Sequence, residues 1–252
     1  MKYILQRKRL RAAGRLMGLL LLLSFPLSGC MYPGEKEGQS GGSYRESVKR
    51  IQSAVDDYQQ EEGLLPILNA DETTPRYEKF RIDLDKLNKK GYLDDIPTTA
   101  FEKGGSAYFL LLDEETDPKV KVMDLVTVQK VNDVQRQVNR YKSSHGGKLP
   151  VAEELYPGLH TIDAKKAGSA SITLNSVYSG QPLEFIMDRE GIVYVDYVFD
   201  IMNAIDKNGG EHKAGQDLRL ELEQASYYVP VKSLPYQWIN GQPVPQPPKL
   251  SL

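Results

Sequence analysis

The chain has 252 residues, is 40% hydrophobic and 26% charged, and carries a formal net charge of −2. Those proportions belong to a folded globular protein, not to a disordered or collagen-like chain, and the balance offers no basic field for nucleic acid. One cysteine, Cys30, excludes an internal disulfide framework, so the fold rests on its core alone.

Residues 1–15 hold Lys2, Arg7, Lys8, Arg9, Arg11 and Arg15 with no acid, and a leucine-rich run, Leu16 to Leu23, follows. A basic segment and then a short apolar run is the pattern of a secretory signal peptide. Ser24-Phe25-Pro26 interrupts the run before it can span a bilayer, so an uncleaved anchor helix is the weaker reading. Leu27-Ser28-Gly29-Cys30 then closes the segment with an aliphatic residue, two small residues and the cysteine. This resembles the lipobox of bacterial lipoproteins. The resemblance implies cleavage between Gly29 and Cys30, a diacylglyceryl group on the Cys30 thiol, and a mature chain lipid-anchored at the extracytoplasmic face of the cell membrane. Two acyl chains, at about 0.8 kcal/mol per buried CH₂, anchor a protein stably where one is marginal. Cutting there leaves 26 basic against 34 acidic residues, a net charge of −8, which again argues against nucleic acid as a partner.

Residues 30–43 are rich in Gly, Ser and Glu and read as a flexible tether. Ser43-Tyr44-Arg45-Glu46 has the spacing of a capping box, and Val48, Ile51, Val55 and Tyr58 then recur on one helical face until Gly63 and Pro66. Val131, Val134, Val138 and Tyr141 repeat those four positions 83 residues downstream, with Gly146 and Pro150 after them. Each helix is followed by a predicted hairpin: Tyr108 to Leu112 with Val120 to Met123, then Leu183 to Met187 with Ile192 to Val195. The pattern predicts an α+β fold of two helix-plus-antiparallel-sheet units in tandem, at 44–125 and 126–200. A C-terminal segment (201–242) and a proline-rich tail (243–252) complete the chain. In the C-terminal segment, Phe199 to Ile205 reads as a helix that begins just ahead of it. Leu218, Leu220 and Leu222 alternate as in a strand, and Tyr227 to Val231 reads as an edge strand. Four of the six residues from Pro243 to Pro248 are proline, which predicts an extended, poorly ordered end.

Tyr58, Gly63 and Pro66, followed by Leu87, Gly91, Tyr92, Leu93 and Pro97, resemble the soluble part of type IV pilins and type II secretion pseudopilins. The second unit keeps only Tyr141, Gly146 and Pro150 of that pattern. The resemblance implies one helix packed across an antiparallel sheet. The long apolar helix that polymerises pilins is replaced here by the lipobox-like segment, so no polymerisation follows. As a whole the chain also resembles uncharacterised YphF-type lipoproteins of Gram-positive bacteria.

Candidate chemistry is sparse. His145, His160 and His212 fall in polar or turn-like stretches without metal-ligand spacing. Serine-nucleophile, phosphate-loop and dinucleotide motifs are missing from the sequence. Asp113-Glu114-Glu115-Thr116-Asp117 is an acidic turn that either binds Ca²⁺ or, more simply, is solvated. Asp206 to Glu211 begins like an EF-hand loop but has Glu211 where that loop requires glycine. Tyr227, Tyr228, Tyr236 and Trp238 cluster within twelve residues, either as a ligand or partner surface or as rings pinning a strand to the sheet. These features predict a non-enzymatic interaction or assembly factor. It would bind the membrane through acylated Cys30, have an envelope protein as partner, and need no cofactor or metal. The alternatives are a solute-binding lipoprotein of a transporter and, less favoured, an envelope hydrolase.

Overall fold

The computed structural model describes residues 36–209 and 215–248. The Leu27–Cys30 motif, His212 and Glu211 lie outside them. Gly41–Leu252 forms one compact unit.

The first helix, α1 (Lys36–Glu62), buries Ile51, Ala54, Val55 and Tyr58. It starts ahead of Ser43, inside the stretch expected to be tether, so the Ser43–Glu46 pattern does not cap it; the Ser43 carbonyl instead accepts the Ser47 hydroxyl at 2.7 Å. Once a helix is nucleated, each added residue gains a bond, and a capping sequence alone does not halt its propagation. Beyond α1, Ile67 pairs with Ile82 and Arg81 with Leu110. Between these bridges and the hairpin lies α2 (Leu84–Lys90), capped by Asp83 and ended by Gly91 in the left-handed region. The expected hairpin forms from β1 (Ala107–Leu112) and β2 (Lys119–Asp124), with Phe109 opposite Val122.

The last residue of β2, Asp124, caps α3 (Leu125–Ser144) by accepting the Val126 and Thr127 N–H groups. Val131, Val134 and Val138 of α3 are buried, as their spacing predicts. An antiparallel sheet in the order β3-β4-β5-β6 follows: β3 (Val151–Tyr156), β4 (Leu159–Ile162), β5 (Glu184–Asp188) and β6 (Val193–Asp196). A single turn, α4 (Ala164–Ala167), joins β4 to the loop before β5, and β6 runs into α5 (Val198–Asn208).

The two modules repeat each other in hydrogen bonding as well as in order. The Gln52 side chain of α1 accepts the Val120 N–H at 2.8 Å and donates to the Pro118 carbonyl at 3.0 Å. Gln135 of α3 does the same with Val193 (2.8 Å) and Gly191 (2.7 Å). Each glutamine also donates to the residue four further on, Asp56 or Asn139. The Asp83 N–H donates to the Pro66 carbonyl at 2.7 Å and the Asp163 N–H to that of Pro150 at 2.8 Å. Both aspartates cap the short helix that follows. Ile67 opposite Ile82 matches Val151 opposite Ile162, and Phe109 opposite Val122 matches Phe185 opposite Val195.

Three C-terminal expectations are corrected. Leu218 and Leu222 do not sit on a strand: they flank and enter α6 (Arg219–Ala225), both almost wholly buried. A spacing of four suits a helical face as well as the 218–220–222 alternation suits a strand, and burial of that face decides it. The proline-rich tail is ordered to Pro245 in a hairpin of β7 (Tyr236–Ile239) and β8 (Gln242–Pro245). Its turn is Asn240-Gly241, with φ of 52° and 83°, the pair that a type I′ turn requires.

Residues 226–235 form a strap rather than the expected edge strand. Its one β-bridge joins Tyr228 to Val122, whose N–H and carbonyl bond Tyr227 and Val229. Five residues on, the Lys232 carbonyl accepts the N–H of Val195, the second-module equivalent of Val122. β2 and β6 are outer strands of their ladders, so the strap covers one edge of each. Val229 and Val231 seal Leu110 and Leu112 behind the first hairpin, and Leu234 seals Leu159 and Ile186 behind the second sheet.

Candidate functional site

The second module leaves a cavity of about 390 Å³ between α3, α4 and its sheet. Its floor is apolar, formed by Val134, Ile162, Ile172, Leu174, Leu183 and Phe185. Glu153, Thr161, Thr173 and Glu184 supply a polar fringe, and buried Ser169 and Ala164 of α4 also line it. The local sequence explains this placement. Asp163 bonds the Lys166 N–H and starts α4, and Gly168 in the left-handed region ends it after one turn. The chain is thereby released into the 169–174 loop that forms the cavity's lip. An apolar floor with a few polar groups at the mouth is the usual make-up of a small-ligand pocket.

A second, smaller cleft of about 280 Å³ lies where the modules meet the strap, lined by Tyr77, Asn132, Tyr194, Arg219 and Lys232 among others. Its charges are matched internally: Arg219 pairs with Asp217 at 2.7 Å and Lys232 with Glu78 at 2.9 Å. Beside it, buried Glu223 of α6 accepts the Tyr77 hydroxyl at 3.1 Å and an Arg76 N–H at 3.3 Å, while Arg76 also pairs with Asp113 at 2.8 Å. Burial and the Glu223 charge push the Tyr77 hydroxyl pKa well up, so it stays a donor. This network fastens α6 to the first module and leaves no charge over for a ligand.

The aromatic group, read either as a surface or as rings pinning a strand to the sheet, is divided by the fold. Tyr236 is fully buried; its hydroxyl donates to Asp196 and accepts the Tyr197 N–H, each at 2.8 Å. Tyr227 and Tyr228 pack with Tyr44 against the α1 core, at ring separations of 4.8 and 5.7 Å. Trp238 is 39% exposed on β7, apart from the others. In the acidic turn, the Asp113 carbonyl accepts the Thr116 and Asp117 N–H groups, and Asp117 pairs with Lys119 at 2.9 Å. Among the described residues no three metal-ligating side chains are grouped to hold an ion. His145 stacks on Tyr141 at 3.8 Å, and His160 lies on β4 opposite Glu154 and Met187. Asp206, Lys207 and Asn208 close α5, with Gly209 as its left-handed cap.

One buried acid in the second module is not satisfied. Asp200 on α5 is 2% exposed, and neither of its carboxylate oxygens has a hydrogen-bond partner. Burial pushes its pKa up, and the Ser179 and Ser176 hydroxyls, not placed for proper hydrogen bonds, pull it only partly back. The folded chain therefore keeps this proton at pH values where the unfolded chain has lost it, and stability falls as pH rises above the ordinary 3.8. Asp200→Asn should flatten that slope and add about 1 kcal/mol at neutral pH, read from urea melts at several pH values.

Residues 44–124 match the model of the YphF family N-terminal domain. The match ends at Asp124, the last residue of β2, and so covers the first module. The second module, which carries the cavity, lies beyond it. No curated protein and no solved structure matches the chain.

Sequence reading overlooked Glu153, Glu184 and Ala164 because no motif marks them. The usable signal was Ile82-Asp83-Leu84 set beside Ile162-Asp163-Ala164, the same turn with its core residue changed.

Proposed function

We propose that this protein is a lipoprotein held at the extracytoplasmic face of the cell membrane through diacylated Cys30, where it acts without catalysis as a ligand-binding interaction factor. The likeness of Leu27-Ser28-Gly29-Cys30 to a lipobox supports the anchor. The observation that carries the binding role is the open, apolar-floored cavity of the second module. The first module and the strap serve as its scaffold. The likeness to pilin soluble parts contributes the helix-across-sheet plan and no assembly into fibres.

The strap also bears on the kind of binding protein. Transporter-feeding proteins of the two-lobed type close about a hinge, whereas here one segment bonds equivalent valines of both modules. That favours a fixed site read by a neighbouring envelope protein over a clamshell that delivers solute to a transporter.

Cys30→Ser tests the anchor. The variant should leave the membrane fraction or stay unprocessed, as seen by fractionation and by labelling with a fatty-acid analogue; unchanged retention together with unchanged labelling would remove the anchor from this reading.

A further inference from the structure

The lining of the second module's cavity indicates what class of molecule enters it, an inference that rests on the ligand-site reading above. In the first module the corresponding space is solid: Ile82, Leu84, Leu87 and Phe109 are each at most 3% exposed. The matching residues are Ile162, Ala164, Ala167 and Phe185, so both leucines are replaced by alanine. The helix that carries them shrinks from Leu84–Lys90 to Ala164–Ala167. Ile162, Ala164 and Phe185 are left half-buried around the opening.

Loss of core leucines leaves space that the surroundings only partly collapse to fill, at a cost in stability. A second module that only copied the first would have no reason to bear that cost. An apolar guest restores the missing contacts.

The mouth sets the charge of that guest. Glu153 on β3 and Glu184 at the start of β5 both line it, and neither carboxylate has an ion-pair or hydrogen-bond partner among the described residues. The nearby Lys166 is already held by Asp163 at 3.0 Å. A phosphate or carboxylate ligand would meet two like charges, whereas a cation finds two unmatched acids. The volume, near the low end for ligand pockets, suits a single ring or a short branched chain. A peptide strand laid along β3 fits less well: the β3–β4 register is broken at two places, and Glu153 and Glu154 stand exposed on that edge.

We infer that the second module binds a small apolar primary amine, with its hydrocarbon part on Val134, Ile172, Leu174 and Phe185 and its ammonium toward Glu153 and Glu184. Phenethylamine, phenethyl alcohol and phenylacetate present one ring with cationic, neutral and anionic ends. Each is titrated calorimetrically into the full chain in lipid nanodiscs, with empty nanodiscs subtracted. The amine should bind about fivefold tighter than the alcohol, as expected for partly exposed ion pairing, and phenylacetate most weakly. Glu153→Gln with Glu184→Gln should bring amine and alcohol together. Ala164→Leu should abolish binding of both; Thr173→Trp, at the exposed mouth, does the same without touching the core should Ala164→Leu fail to fold. Equal binding of amine and alcohol by the unaltered chain would overturn the amine assignment and leave the cavity a ligand site. No binding by any of the three, or binding that survives both blocking variants, would overturn the assignment and the ligand-site reading together.

Discussion

Leu87→Ala should destabilise the protein by about 3–5 kcal/mol in urea melts, the upper part of the range for emptying a leucine site in a packed core. Leu87 is wholly buried on α2, in one core cluster with Leu84, Leu93, Ile96 and residues of α1 and the first hairpin. Nothing beside it is loose enough to move into the vacated space, so the transfer loss and the cavity loss add. Restoring a leucine at Ala164, the second-module match of Leu84 one turn before Leu87, should behave in the opposite sense. Ala164→Leu grows into a cavity that already exists, so it should leave stability unchanged or raise it. The pair of measurements separates a packed module from an open one. Equal and large losses from both variants would mean that the two modules are packed alike.

Tyr236→Ala should cost about 5 kcal/mol, and Tyr236→Phe about 1–3 kcal/mol. The ring is fully buried in the second core, so alanine empties a large volume there. Phenylalanine keeps the volume and removes only the hydroxyl. The Tyr197 N–H, in a buried setting, then loses its acceptor, and Asp196 keeps the Val198 N–H on one oxygen and the Tyr156 hydroxyl on the other. Since whole-domain stabilities are about 5–15 kcal/mol, the alanine variant should be partly unfolded at 37 °C. Circular dichroism melts of the three proteins read both effects at once. A phenylalanine variant as stable as the parent would show that Asp196 and Tyr197 find other partners.

Much of the architecture is legible in the chain because local rules and burial agree there. The α1 and α3 stripes, the two hairpins, and the tyrosine–glycine–proline ending used twice all follow from side-chain period and turn chemistry. Where a pattern is compatible with two periods, local reading fails. Leu218 and Leu222 satisfy both, and only the surface they meet makes them helical. Proline count likewise obscured Asn240-Gly241, a strong hairpin signal placed among residues that suggest disorder. For Tyr236 the residues around it in sequence leave open both a surface and a ring pinned in the core; its hydroxyl's partner there, Asp196, is forty positions away. The cavity was hidden for a different reason. It is lined by Ala164 where the first module has a leucine, and a missing side chain has meaning only beside its filled counterpart.

The strap has a consequence for how the chain is made. Lys121 bonds the carbonyl of Ser226 across 105 positions, and Lys232 pairs with Glu78 across 154. Contacts of such long range are slow to form, since the intervening chain must close before they contribute. Here they cannot form at all until residues 226 and 232 have been made. Until the strap arrives, the outer edge of β2 stays bare over some hundred residues of chain and that of β6 over a few dozen, loosely held and slow to commit. The strap is thus a late fastening: the two modules can each fold early, but the edges of β2 and β6 are locked only when residues 226–235 arrive.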